Sequence, residues 1–341
     1  MKTGLLMINQ DAVIRHVDIK TFDAGPIIES MEHMSFQSRN LARATRIYEA
    51  MLRDPDCTIL LGLAGSLFSA GLKQIVIDMI EANMVDVIVS TGANIVDQDF
   101  FEALGFYHYA GDAFADDECL RASGIDRIYD TYIREDDLRI CDNKIKEIAD
   151  SLSPGVCSSR EFIGLMGEFL VNGAARCASV VEAAHRNKVP IFVPAFSDCS
   201  AGFGLVAHQH QRGQGHVSID SVKDFRELTH LKIACGRTGM FLVGGGVPKN
   251  FIQDIVVAAD VLGHDAEMHK YAIQITVADE RDGALSGSTL KEAHSWGKVN
   301  QASEQMVFCE ATIAMPLIAS TAYHRSLPLG RQAREWNRLF A

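Results

Sequence analysis

Thr58-Ile-Leu-Leu-Gly-Leu63 is a short apolar run that ends in Ala64-Gly65-Ser66, and it sets the pattern for much of the chain. A helical segment follows it, and the next apolar run, Val85-Asp-Val-Ile-Val89, ends in Ser90-Thr-Gly-Ala-Asn94. Both runs are almost continuously apolar, which indicates strands buried on both faces, as parallel strands are. Helices that alternate with such strands predict an open, mostly parallel α/β sheet with helices on both faces.

Three further apolar runs continue this pattern: Pro190-Ile-Phe-Val193, Met240-Phe-Leu-Val243 and Tyr271-Ala-Ile-Gln-Ile-Thr-Val277. Residues 303–319 have a helical pattern and are predicted as a long C-terminal helix. Residues 100–137 are irregular and rich in acidic side chains, which predicts a functional or interfacial surface. No stretch has the composition of a linker, so we expect a single Rossmann-like domain over residues 1–341.

The composition narrows the class of protein. The chain has a formal net charge of −12, which argues against binding to nucleic acid or to an anionic membrane and suits a cationic ligand. Its eight cysteines are scattered and form no C-x-x-C pair, as in reduced cytosolic proteins, and no metal site is expected. The N-terminus lacks the apolar run of a signal peptide, and no stretch reaches transmembrane length, so we expect a cytoplasmic protein.

Small and polar residues follow the predicted strands, where open α/β sheets bind their ligands. The usual dinucleotide fingerprint, G-x-G-x-x-G, is missing after the first strand. Gly65-Ser66 and Thr91-Gly92-Ala93 nevertheless each join a strand to a helix, where backbone N–H groups can approach a pyrophosphate. Asp198 could accept hydrogen bonds from ribose hydroxyls, although the glycines could equally form tight turns and Asp198 a helix cap. Asp279, Glu280 and Asp282 could pair with the amines of a polyamine, or could lie in a solvated loop.

The segment His294-Ser-Trp-Gly-Lys-Val299 brings an amine close to a large aromatic ring. A lysine that packs against an apolar surface gives up its proton more readily, and the neutral amine can attack carbonyls and imines. Lys298 is therefore a candidate nucleophile, and His294 could act as its base. A surface lysine beside a core tryptophan would give the same local pattern.

Several segments together resemble the deoxyhypusine synthase family. The active-site segment of that family typically reads E-A-V-S-W-G-K, and residues 292–298 read Glu-Ala-His-Ser-Trp-Gly-Lys. The resemblance covers about residues 40–320 and implies a Rossmann-like domain, a homotetramer, and NAD and substrate at subunit interfaces. The other matching pieces follow in the family's order: Asn83-Met-Val-Asp-Val-Ile-Val89, Thr91-Gly-Ala-Asn94, Val189-Pro-Ile-Phe-Val-Pro-Ala195 with Asp198, Thr238-Gly-Met240, Gly244-Gly-Gly-Val247 with Lys249, and Asp282-Gly283 with Ser286-Gly287.

The resemblance also implies a reaction in which NAD takes hydride from spermidine, 1,3-diaminopropane leaves, and an aminobutyl imine forms on the active-site lysine. An acceptor amine then takes over the aminobutyl group; the usual acceptor is a lysine of translation factor 5A. By motif position, Lys298 is the covalent lysine, Trp296 packs beside the substrate chain, and Glu292 helps to hold the amine. The positions that correspond to NAD contacts are Gly65, Ser66, Thr91, Gly92, Ala93, Asp198, Asp279 and Asp282.

The chain departs from the family pattern where the polyamine is held. Leu285 replaces the second acid of D-G-S-D-S-G, and Phe203 replaces the last acid of T-D-G-S-L-G-D. Asn250 and Asp254 replace the histidine and asparagine that follow G-G-G-V-x-K, and we predict both as substrate-binding residues. The donor and acceptor therefore stay open, and a diamine such as putrescine, giving homospermidine, is an alternative acceptor. Two other functions also stay open: an NAD-dependent amine oxidoreductase and a nucleotide-binding protein that has lost its activity.

Overall fold

The structure is a computed structural model that describes residues 7–340. The ends of the predicted 1–341 domain, residues 1–6 and Ala341, lie outside the described residues, and with them part of the N-terminal stretch that argued against a signal peptide. The described part contains eleven strands: β1 (Thr58–Leu63), β2 (Val87–Ser90), β3 (Tyr109–Ala110), β4 (Ile125–Ile128), β5 (Thr131–Arg134), β6 (Gly155–Cys157), β7 (Ile191–Phe192), β8 (Val217–Ile219), β9 (Thr238–Val243), β10 (Tyr271–Thr276) and β11 (Glu304–Phe308).

Six of these strands form one parallel sheet in the order β11-β10-β9-β1-β2-β7. When the six strands are renumbered 1 to 6 in chain order and the sheet is read from β7, the order is 3-2-1-4-5-6. This is the order of doubly wound dinucleotide-binding folds. The direction of winding reverses between β1 and β9, and such a reversal opens a crevice at the carboxyl ends of the strands. The predicted open, parallel α/β sheet is therefore confirmed.

Helices cover both faces of the sheet. The described residues form α1 (Gly25–Glu32), α2 (Phe36–Arg53), α3 (Lys73–Glu81), α4 (Phe101–Ala103), α5 (Asp117–Ala122), α6 (Glu135–Asp150), α7 (Ser159–Phe169), α8 (Val180–Asn187), α9 (Ser200–Arg212), α10 (Ser221–Cys235), α11 (Gly246–Val261), α12 (Leu290–Ser295) and α13 (Ala311–Ser326). A π-helical segment, Ala93–Phe100, leads directly into α4. In the stretch from residue 7 to residue 340, none of these helices combines the length and apolar character needed to cross a bilayer.

The first strand explains why both faces must be covered. All six residues of β1 are buried. Ile59, Leu61 and Leu63 belong to the large core on one face of the sheet, whereas Leu60 belongs to a second core on the other face. Side chains of a strand alternate between its two faces, so a continuously apolar strand needs a helical layer on each side.

The C-terminal prediction was wrong in part. Residues 304–308 form β11, an additional edge strand beside β10, and the helix begins only at Ala311. Glu310 accepts a hydrogen bond from the Thr312 N–H at 2.8 Å and so caps that helix. The strand escaped detection because it has a neighbour on one side only and merges in sequence with the helical pattern after it.

The acidic segment between residues 100 and 137 is more regular than its sequence suggested. It contains α5 and a small antiparallel sheet in the order β3-β5-β4. These strands are two to four residues long, which is too short for hydrophobic periodicity to reveal them.

Candidate functional site

The carboxyl ends of β1 and β2 are tied together by polar contacts. The Thr91 hydroxyl donates to the Gly65 carbonyl oxygen at 2.9 Å, and Asn94 Oδ1 accepts from the Leu67 N–H at 2.7 Å. Gly65 has φ +70°, and a Cβ added there would meet no atom within 4 Å. The backbone at Gly65 is therefore open to solvent beside the reversal point of the sheet, as a bound pyrophosphate would require.

A second loop lies against the end of β9. Gln274 Nε2 donates to the carbonyl oxygens of Gly244 and Ser286 at 3.0 and 3.1 Å, and the Gly246 N–H donates to Ser286 Oγ at 3.0 Å. A Cβ on Gly244 would lie 2.9 Å from that of Ala64, so this loop also adjoins the end of β1. The loops after β1, β2, β9 and β10 thus line one edge of the sheet.

The acids predicted at this edge are exposed. Asp279 pairs with Arg281 at 2.7 Å, and Asp282 Oδ1 accepts from the Ala284 N–H at 2.7 Å. Asp198 is also exposed, after β7. The structure therefore brings Gly65, Ser66, Thr91, Gly92, Ala93, Asp198, Asp279 and Asp282 to the carboxyl ends of neighbouring strands.

Sequence reasoning missed Asp97 at this edge. The Ser200 N–H donates to Asp97 Oδ1 at 2.7 Å, and burial raises the pKa of the carboxyl to about 7. The nearby carboxylates of Asp142 and Asp198 act in the same direction. Its position inside a helical segment gave no local signal, because its surroundings come from elements distant in sequence, among them α9.

Lys298 lies elsewhere on the sheet. Its backbone carbonyl accepts from the His269 N–H at 3.0 Å, and Val299 bridges His269 just before β10. The turn that leads to it is closed by Gly297 at φ +69° and by the Lys298 N–H, which donates to the Ala293 carbonyl at 3.1 Å. The amine is therefore attached near the amino ends of β10 and β11.

Three other predicted residues lie in one cluster with Lys298. Lys298 Nζ lies 2.5 Å from Asp254 Oδ1, and Asn250 Nδ2 donates to Asp254 Oδ2 at 2.7 Å. The same amine lies 5.2 Å from the centre of the Trp296 ring, within the range of a cation–π contact. The Lys298 side chain is only 13% exposed. The lysine is thus largely buried. It is also paired with a carboxylate, and the sequence did not predict this pairing.

Two other predicted partners lie differently. Glu292 is exposed on α12, and among the described residues no ion pair joins it to Lys298. His294 Nδ1 lies 2.9 Å from the Val299 carbonyl oxygen, so this ring nitrogen serves the local turn. The group in contact with the amine is therefore the Asp254 carboxylate, whereas His294 Nδ1 contacts the backbone of the turn.

A largely apolar groove of about 590 Å³ opens beside Lys298. Its walls come from α10 and α11 and include Phe225, Val257 and Val261, while Lys298 and Asp254 supply the polar groups. Trp296 lies at the rim with 66% of its surface exposed. The volume and the mostly apolar lining are in the range of small-molecule sites.

A second lysine, Lys249, belongs to the family pattern, but the sequence predicted no role for it. Lys249 is buried, and its amine donates to the Leu285 carbonyl at 3.2 Å and to the Ser288 carbonyl. Burial lowers the pKa of Lys249 to about 8, and the charge of Lys298 acts in the same direction. Lys249 thus connects α11 to the loop after β10, and its charge lies close to that of Lys298.

Comparison with known proteins identifies the family. A deoxyhypusine synthase family model matches residues 26–322. The chain belongs to the deoxyhypusine synthase family. It is 63% identical over 325 residues to a deoxyhypusine synthase-like protein of Chlorobaculum tepidum, covering 95% of this chain and 93% of the relative. It is 58% identical over 328 residues to a protein of the same name in Coxiella burnetii, covering 96% and 93% of the two chains.

More distant relatives agree. A protein of Methanosarcina mazei named "Probable deoxyhypusine synthase 2" is 43% identical over 318 residues, covering 93% of this chain and 91% of that one. A crystal structure of an Entamoeba histolytica protein assigned as a deoxyhypusine synthase has a TM-score of 0.57 at 20% identity, covering 91% and 97% of the two chains, and supports the fold. Membership of the family supports an enzyme of the transferase class with a general role in aminobutyl transfer.

Apolar side chains stand at the two positions where the family pattern has an acid. Phe203 on α9 is 63% exposed, and the Arg139 guanidinium lies 5.9 Å from its ring centre. Leu285 is half-buried, and its carbonyl accepts the Lys249 hydrogen bond. Neither position offers a charge to a polyamine. Among the described residues, the carboxylate that forms an ion pair with Lys298 is Asp254.

Proposed function

We propose that this protein is an NAD-dependent transferase that moves a 4-aminobutyl group from spermidine, or a related polyamine, to an acceptor amine through an imine on Lys298. The observation that carries the proposal is the position of the Lys298 side chain, which is largely buried, lines an apolar groove and contacts Asp254 and Trp296. A nucleophilic lysine needs low exposure to water and a group that can exchange its proton.

The strand-end loops fit a dinucleotide. The backbone of Gly65 is open, the sheet reverses beside it, and the loops that carry Thr91, Asp198 and Asp282 surround the same edge. Bound NAD would accept a hydride from the carbon beside the secondary amine of the polyamine and would later return it. Within the proposal, the backbone around Gly65 and Thr91 holds the pyrophosphate, and Asp198 accepts hydrogen bonds from a ribose.

The residues around Lys298 then act on the amine. The apolar walls of the groove hold the methylene chain and keep water away, while Trp296 covers it at the rim. Lys298 attacks the imine carbon of the oxidised donor and forms a C–N bond, and the bond to 1,3-diaminopropane breaks. Asp254 receives and returns the protons that these additions and eliminations require.

The two parts of the proposed site are separated within one chain. Asp254 is eight residues along α11 from Gly246, which places it about 12 Å from the strand-end edge along the helix axis. The exposed apolar residues around the groove, Val257, Val261 and Leu262, would be covered by a neighbouring subunit. We therefore propose that a homotetramer brings the Lys298 groove of one subunit to the cofactor edge of another.

Borohydride trapping tests the covalent step. The protein is incubated with NAD and spermidine, reduced, digested and analysed by mass spectrometry. We expect an aminobutyl adduct on Lys298, and none in the Lys298→Arg variant, which keeps the charge but lacks a comparable nucleophile. Conversion of spermidine by wild-type protein without any adduct would instead support the plain NAD-dependent amine oxidoreductase.

Product analysis with an acceptor panel identifies the second substrate. Putrescine and a lysine of a translation factor are compared under the same conditions, with spermidine as donor. Because Phe203 and Leu285 remove two carboxylates from the family pattern, we expect the pocket to favour a less charged or differently spaced amine. A bound structure in which other carboxylates hold the amines of spermidine would contradict that expectation. We propose a small diamine such as putrescine as the acceptor, with homospermidine as the product, and formation of product only with the protein lysine would contradict this choice. The absence of any product with every acceptor would support a nucleotide-binding protein without activity. We propose a cytoplasmic location for this reaction.

A further inference from the structure

Both oxygens of Asp254 are in contact with other side chains. Its Oδ2 is held by the Asn250 amide, one helical turn away, and its Oδ1 is held by Lys298. The side chain of Asp254 is 29% exposed and lines the groove, so a molecule in the groove can reach it. A cationic amine that enters the groove would therefore share this carboxylate with Lys298.

Other charged side chains lie near the groove and act on the same groups. Lys249 on α11 and Arg226 on α10 add positive charge, and Glu292 on α12 adds negative charge that acts on Lys249. The ring of His294 is engaged by a backbone carbonyl. Among the described residues, Asp254 is the carboxylate in direct contact with the Lys298 amine.

We infer that Asp254 is exchanged from Lys298 to the ammonium of the incoming amine, so that substrate binding itself releases the proton that makes Lys298 a nucleophile. This inference rests on the proposed function. In the empty groove Lys298 and Asp254 form an ion pair. When a second ammonium takes the Asp254 oxygen, two like charges share one carboxylate, and the loss of a proton from one of them is favoured.

Lys298 is the group that gives up this proton. Its side chain is buried against Trp296 and the apolar wall, and Lys249 lies nearby, so an unpaired charge there is poorly solvated. The substrate ammonium gains the carboxylate in exchange. The balance is simple: Lys298 changes from ammonium to amine, the substrate keeps its charge, and one proton leaves to the solvent.

This arrangement would also select the substrate. A neutral molecule of the same shape would fill the groove without displacing Lys298, and the nucleophile would stay protonated. The chemistry therefore requires a ligand with a terminal ammonium at the end of an apolar chain. The carboxylate at position 254 thus recognises the amine and activates the lysine in a single exchange.

Calorimetry on the intact oligomer tests the exchange. Spermidine is titrated into protein saturated with NADH, which cannot accept hydride, in two buffers of equal pH and different ionisation enthalpy. We expect about one proton released per site in the wild type. In Lys298→Met we expect no release and an affinity for spermidine several-fold higher, because Asp254 is already free. In Asp254→Asn we expect no release and an affinity lower by about tenfold or more.

Lys291→Met is the matched control, because Lys291 is an exposed lysine on the same short helix, α12. It should leave both the proton count and the affinity unchanged. Binding of spermidine to the wild type without proton release would overturn the exchange, as would weaker binding to Lys298→Met. If either of these results is obtained and wild-type protein still forms the Lys298 adduct with NAD and spermidine, the transferase function stands without the exchange. If spermidine neither binds nor gives an adduct, both proposals fail.

Discussion

The Sγ atom of Cys199 occupies the space that a side chain at Gly92 would need. A Cβ at residue 92 would lie 2.4 Å from that sulfur and 2.8 Å from the Cys199 Cβ. Gly92 follows β2, and Cys199 precedes α9 after β7. This contact therefore sets how closely the loops after two neighbouring strands approach at the proposed cofactor edge.

We expect Gly92→Ala to push these loops apart, weaken NAD binding at least several-fold, and lower the free energy of unfolding by about 1–3 kcal/mol through overpacking. Cys199→Ala in the same chain should restore part of both losses, because it removes the sulfur but keeps the Cβ. Urea denaturation and NADH fluorescence titration measure the two effects. Equal losses in the single and double variants would contradict the packing explanation.

The open backbone at Gly65 has a matched control in Gly124. The two glycines have φ +70° and +65°, and a Cβ added to either would meet nothing within 4 Å. Replacing either glycine by alanine should therefore lower the free energy of unfolding by about 1 kcal/mol, through backbone strain alone. Only Gly65→Ala should weaken NADH binding, by at least about tenfold, because a methyl group would enter the space of the pyrophosphate. The same affinity for NADH in both variants would remove Gly65 from the cofactor site.

The raised pKa of Asp97 predicts that the free energy of unfolding depends on pH. Its pKa is raised to about 7 by burial, above the value of about 3.9 in an unfolded chain. The native state thus binds more protons between about pH 4 and 7, and the contribution of this group to the free energy of unfolding falls as the pH rises through that window. Asp97→Asn should remove this slope and be more stable than the wild type at pH 8 by roughly 1–4 kcal/mol. Urea midpoints across that pH range measure it, with Asp260→Asn, which removes an exposed carboxyl on α11, as the control.

Trp296 should matter for ligand binding more than for stability. Its ring is 66% exposed, so Trp296→Ala should change the free energy of unfolding by less than about 1 kcal/mol. Loss of the wall beside Lys298 should weaken spermidine binding at least several-fold. Phe114→Ala is a suitable control, because Phe114 is 94% exposed and lies far along the chain from the groove. Thermal unfolding and calorimetric titration separate the two effects, and equal affinities in both variants would count against the proposed groove.

The sequence predicted the fold where strands are long and buried on both faces. β1, β9 and β10 each have six residues with nearly continuous burial, and their apolar runs were visible without the structure. It missed β11 because an edge strand has one neighbour and a weak pattern. It missed the small sheet β3-β5-β4 because strands of two to four residues carry no periodicity.

For the site, the sequence by itself determined the residue types: an amine beside an aromatic ring, glycines after the strands, and apolar residues at positions 203 and 285. Only the tertiary structure decided which groups meet. The pairing of Asp254 with Lys298 joins positions 44 residues apart through the packing of α11 beside the turn after α12. Local sequence cannot encode that contact, because it depends on two segments reaching the same side of the sheet. The same reason hid the buried carboxyl of Asp97, whose environment is supplied by α9.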